Sequence, residues 1–178
     1  AKINFSDLEK LAKAYRRPTT ALLLDKPPVE QAMPPYFRKK SGKAEMNPEI
    51  RFAIRKARYL QGVATDLEGN GGGSGIVETA TLEDSPEKTA RNERERLGVS
   101  IDAQSGCKDA RAALKAFRDA IERRNVFVFQ IKMPKDVALG FSLPDRANPV
   151  IALNKNDASI ERKTFTLFHE YAHVLLGK

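Results

Sequence analysis

Cysteine is almost missing from this chain. The single one, Cys107, cannot form an intrachain disulfide, which fits a reducing cytoplasm. It opens a helical pattern with no histidine near it in sequence, so it is read as structural rather than as a nucleophile. Long apolar runs are missing too: none approaches the roughly 18–20 residues of a membrane span. The opening stretch AKINFSDLEK has no apolar h-region, so no signal peptide is read there. It also lacks an initiator Met, and a processed or trimmed chain is expected. No internal repeat is found. Histidine occurs only twice, at His169 and His173.

Basic residues are the abundant ones. The net charge is +8 and the pI about 9.6. That permits nucleic acid or acidic protein partners without naming either. The Lys and Arg residues are spread along the chain rather than blocked, as on a solvated surface. With 178 residues, 41% of them apolar, the chain can build one domain with an appendage or two small ones.

Residues 6–15, SDLEKLAKAY, read as a helix with Ser6 and Glu9 as its capping box. Pro18 suits the start of a short helix, PTTALLL. Residues 25–46 hold four prolines and are expected to run extended. A long helix follows, with Asn47 as N-cap, Pro48 at the first position and apolar residues from Ile50 to Leu67 at helical spacing. Arg51, Arg55 and Arg58 line another face, read as solvated. GNGGGSG, residues 69–75, is not a phosphate loop, because it has no strand before it and no Lys-Ser/Thr after it. It reads as a linker.

Ser85, Pro86 and Gly98 bracket the next helix as N-cap, first position and stop. A second follows over CKDARAALKAFRDAIERRN, burying Ala110, Ala113, Leu114, Phe117, Ala120 and Ile121, with Asn125 as its left-handed end. The period then changes. NVFVFQIKM, VALGFSL and NPVIALN read as three strands, and their short connections predict an antiparallel meander. The last segment, ASIERKTFTLFHEYAHVLLG, returns to helical spacing, with Ile160, Phe165, Phe168, Ala172 and Leu175 as the expected buried stripe.

That helix carries HEYAH, an H-E-x-x-H pattern. Residues four apart share a helix face, so His169 and His173 can aim their imidazoles at one ion. Glu170 sits about 100° round the helix. It can reach a metal-bound water and take its proton, and zinc lowers that water's pKa to about 7. The chemistry this predicts is peptide hydrolysis, with Glu170 carrying the proton to the leaving amine. Two His and a Glu also occur by chance on amphipathic helices. The strands before the helix and the apolar residues flanking the motif favour the zinc reading. A catalytic zinc needs a third protein ligand. Glu161, Asp157 and Asp145 are the acids upstream, and none is assigned that role.

The run GFSLPDRANPVIALNKNDASIERKTFTLFHEYAHVLLG resembles the ImmA/IrrE family of metallopeptidases. The shared pieces are the Gly-Phe before a strand, the Pro-x-Ile-x-x-Asn strand, the Arg-x-x-Phe-Thr lead-in and the HExxH helix followed by leucines. The resemblance covers residues 85–178. DLEKLAKAYRRP and PPYFR resemble the last helix and the exit of a Cro/repressor-type helix-turn-helix domain fused to such peptidases. The resemblance implies an α+β chain: a helical segment over 1–68, a linker over 69–84, and a zincin-like domain over 85–178 with a small antiparallel sheet and an HExxH helix. It implies a cytoplasmic zinc endopeptidase, with His169 and His173 as zinc ligands and Glu170 as catalytic base. Its substrate would be a cognate helix-turn-helix repressor in a stress or mobile-element response. The family's third ligand, an acid on a later helix, has no counterpart here. The peptidase domain is therefore expected to be incomplete at its C-terminus, with proteolysis weak or absent. DNA would be a partner only through a full-length helix-turn-helix, most of which is missing, and no membrane is implied. The alternative reading is a regulator binding DNA or protein, with the peptidase fold as sensor or scaffold. A third is a non-catalytic partner module, such as half of a toxin–antitoxin pair. The strand VIALN is expected at the cleft rim, where a substrate would add as an extra strand.

Overall fold

A computed structural model describes residues 4–28, 47–68, 80–145 and 148–177. They fall in two compact units, Ala1–Met33 and Pro34–Lys178. From residue 29 the proline-rich segment lies outside the described residues, as does the glycine-rich run.

In the first unit, α1 spans Phe5–Tyr15. Its cap is Asn4, whose Oδ1 accepts the backbone N–H of Asp7 at 2.9 Å, so the expected Ser6–Glu9 box lies inside the helix. Arg16 closes the helix in the left-handed region, at φ 49°. A single 3-10 turn, Thr19–Leu22, follows Pro18.

Among the described residues the second unit opens with α2, Pro48–Glu68, capped by the Asn47 Oδ1 bond to the N–H of Glu49 at 2.8 Å. Helix α3, Pro86–Leu97, has Ser85, Pro86 and Gly98 in the roles expected of them, with Gly98 at φ 67°. A short α4, Ile101–Ser105, was not expected. Helix α5, Ala110–Glu122, buries Leu114, Phe117, Ala120 and Ile121 but leaves Ala110 exposed. Asn125 is left-handed at φ 58°, as expected.

Three strands follow: β1 (Phe127–Ile131), β2 (Gly140–Leu143) and β3 (Val150–Asn154). The sheet is mixed, not an antiparallel meander. Its order is β1-β3-β2, with β3 parallel to β1 and antiparallel to β2. The reason lies in β3 itself. Val150 to Asn154 are all buried, a continuous run with no solvent-facing alternation, and such a strand belongs in the centre. Asn154 then ties the β1–β2 connection over the sheet end. Its Nδ2 donates to the carbonyls of Met133 (3.0 Å) and Ala138 (2.8 Å), and its Oδ1 accepts from the N–H of Met133. Because β3 is central, it is not the rim strand on which a substrate could add.

Helix α6, Ile160–Leu175, packs on β2 and β3, with α5 beside it and α3 behind α5. The core joins Leu97, Leu114, Phe117 and Ile121 to Val128, Ile151 and Leu153 of the sheet and Leu167, Tyr171 and Val174 of α6. Alternation turns Phe141, Val150 and Ala152 the other way. On β1 and β3 packs α2, with Ile50, Ala53, Ile54 and Ala57 buried. Arg58, read as solvated, instead pairs with Asp145 after β2. No helix among the described residues is long and apolar enough to cross a membrane.

A polar contact between helices crosses this core. The hydroxyl of Tyr171 donates to Glu93 Oε2 at 2.8 Å, and Glu93 Oε1 accepts from Arg96 at 2.7 Å. Burial, and then Glu93 itself, holds the Tyr171 hydroxyl well above its ordinary pKa. Tyr171→Phe leaves a buried carboxylate short of one donor and is expected to cost about 1–3 kcal/mol. Urea unfolding checks this: the midpoint falls and the slope stays the same.

Candidate active site on the HExxH helix

The helix that carries the motif starts cleanly. Ser159 Oγ accepts the N–H of Arg162 at 3.1 Å, and Asp157 Oδ1 accepts the N–H of Ser159. The expected buried stripe is offset. Phe165 is 72% exposed and Phe168 36%, and Ala172 also faces outward. The buried face is Lys163, Thr166, Leu167, Glu170, Tyr171, Val174 and Leu175. The helix carries two apolar stripes side by side, and the sheet takes the one that holds Glu170.

The motif residues therefore divide. His169 is exposed and His173 half-buried. Their ring centroids lie 4.9 Å apart at 78°, one turn apart on one helix. Phe165 stacks on His169 at 6.1 Å and 24°. Phe168 meets Phe117 edge-on at 5.1 Å. Burial, and then the neighbouring His169, holds the His173 pKa below its ordinary value, so its ring is neutral and able to ligate at neutral pH.

Glu170 is 6% exposed and turned to the sheet. Its Oε2 accepts the hydroxyl of Ser142, on β2, at 2.9 Å. Burial raises its pKa above the usual carboxylate range; the Ser142 hydrogen bond and the charge of His169 oppose that rise. Gly140 makes room for the contact. A Cβ there would stand 2.6 Å from Thr166 Cγ2 and 2.9 Å from the carbonyl oxygen of Ala152. Sequence reasoning noted the Gly-Phe pair but missed Ser142. The signal was present: Ser142 is the one hydroxyl in the apolar strand GFSL, and a buried hydroxyl needs a partner.

The upstream acids are engaged elsewhere. Asp157, 2% exposed, forms a two-point pair with Arg162 that holds its carboxyl below its usual pKa. Asp145 is bound by Arg58 and Gln61, and Glu161 by Ser159 Oγ. Among the described residues no group of three His, Cys, Asp or Glu side chains gathers as a metal site. The donor set fits zinc in kind: His169 and His173, one turn apart, would be two of the three protein ligands a catalytic zinc takes.

No curated protein and no solved structure gives a significant match to the chain. Residues 121–178, from the end of α5 through the sheet to the motif helix, match the family model of the IrrE N-terminal-like domain, a peptidase family.

Proposed function

We propose that this chain carries the zinc helix of a metallopeptidase of the ImmA/IrrE kind, acting on a cognate helix-turn-helix repressor in a stress or mobile-element response. The observation that carries the reading is that the peptidase-family match spans both histidines and the buried Glu170. In this reading His169 and His173 hold the metal. Zinc, when bound, polarises the scissile carbonyl and stabilises the charge that develops on its oxygen. Glu170 takes a proton from the attacking water and returns it to the leaving amine. Its buried carboxyl, with a raised pKa, is suited to hold that proton between the two steps. Two imidazoles alone hold zinc weakly, so slow turnover is expected.

The test is incubation of the chain, with zinc in excess, with a purified Cro/repressor-type protein. Slow cleavage that stops in Glu170→Gln supports the reading. Zinc bound through the His pair with no cleavage at all favours the regulator that uses the fold as sensor or scaffold.

A further inference from the structure

We propose that Ser142, presented by β2, is a positioning residue for Glu170: its hydroxyl fixes one carboxylate oxygen and leaves the other to handle the proton. The proposal rests on the peptidase reading above. Its geometry begins with the register of the sheet. Ser142 pairs with Ile151 and Gly140 with Leu153, so all four share the face that receives α6.

On that face Gly140 and Ser142 do different jobs. Gly140 lacks the Cβ that would collide with Thr166, one turn before Glu170 on the same side of the helix. The helix can therefore lie close enough for Ser142 to reach the carboxylate at 2.9 Å. Ser142 is fully buried, where an aliphatic side chain would fill the space with no polar atom to satisfy. Oε2 of Glu170 accepts from Ser142, whereas Oε1 accepts no hydrogen bond from the described residues. A carboxylate tethered at one oxygen has a single working oxygen at a fixed place. Proton transfer needs such placement more than substrate binding does.

The test has two arms, both on the chain with zinc in excess. The first is urea unfolding of wild type, Ser142→Ala, Glu170→Met and the double variant. Ser142→Ala is expected to raise the unfolding constant about 10-fold more in wild type than in the Glu170→Met background, where the apolar side chain accepts no hydrogen bond. The second arm is cleavage of the Cro/repressor-type protein. Ser142→Ala is expected to lower kcat about 10-fold or more with KM and zinc affinity unchanged. Effects that multiply independently in the first arm overturn the contact. Cleavage that is indifferent to Ser142→Ala, or a loss confined to KM, overturns the positioning role and leaves the peptidase reading standing. Coupling in the first arm with no cleavage by any form retires the peptidase reading, and the positioning role with it.

Discussion

Glu170→Gln is expected to abolish cleavage and, at the same time, to stabilise the fold at neutral and alkaline pH. The loss of activity should be about 10²–10⁴-fold, the usual contribution of a positioned acid–base group. The gain in stability follows from where the carboxylate lies. It is 6% exposed, and burial raises its pKa above the ordinary 4.5. A raised pKa means that the native state binds the proton more tightly than the unfolded chain does. That contribution is complete below the unfolded value and is lost as the pH rises through the folded value. The wild-type fold therefore gives up stability as the carboxyl ionises inside it. Glutamine cannot ionise, and its amide oxygen still accepts the Ser142 hydroxyl. Melting temperatures measured against pH should separate the two proteins, with the advantage of the Gln variant growing from acid toward neutral pH and then levelling off. A Gln variant that is less stable at every pH would show that the carboxylate helps to hold the fold together.

Gly140→Ala is expected to act in the opposite direction to the usual glycine replacement. In a conformation open to any residue, Gly→Ala stabilises by about 0.4–1 kcal/mol through the unfolded chain. Here the added methyl meets a side chain at 2.6 Å and a backbone carbonyl at 2.9 Å, and the carbonyl belongs to the central strand. Overpacking of this kind costs about 1–3 kcal/mol, which exceeds the gain. The melting temperature should fall by several degrees. Gly62 in α2 is the control, because nothing lies within 4 Å of its added Cβ. Gly62→Ala should stabilise by up to about 1 kcal/mol, as a glycine replaced within a helix does. Calorimetry of the two variants side by side gives opposite signs if close approach is what selects Gly140.

Local chemistry was legible in the sequence at several helix ends, though not at α1, which Asn4 caps in place of the Ser6–Glu9 box, nor at the short α4 behind Ser100. Ser85, Pro86 and Gly98 bracket α3, Asn47 and Pro48 start α2, and Asn125 takes the left-handed end after α5. Each depends on a few neighbours along the chain. Long-range choices were not legible. The three strand segments were read from their residues, yet their order depends on β3 being buried on both faces and on Asn154 bracketing the loop before β2. The motif helix was found, but with two apolar stripes its periodicity could not say which one the sheet would take. Phe165 and Phe168 were expected inside and lie at the surface beside His169. The contact of Ser142 with Glu170 spans 28 positions, and only the folded register brings the two together.

The surface setting of His169, and its nearness to a half-buried His173, make zinc binding the most direct test of the metallopeptidase reading. The measurement is a zinc titration of the chain and of its His169→Ala and His173→Ala variants, read by calorimetry. The wild type is predicted to bind one equivalent at micromolar or weaker affinity, as two imidazoles allow, and neither variant to bind measurably. Zinc held equally well by both variants, or no zinc bound by the wild type, contradicts the assignment of α6 as a zinc helix. Submicromolar affinity in the wild type contradicts the two-ligand site and requires a third donor from this chain.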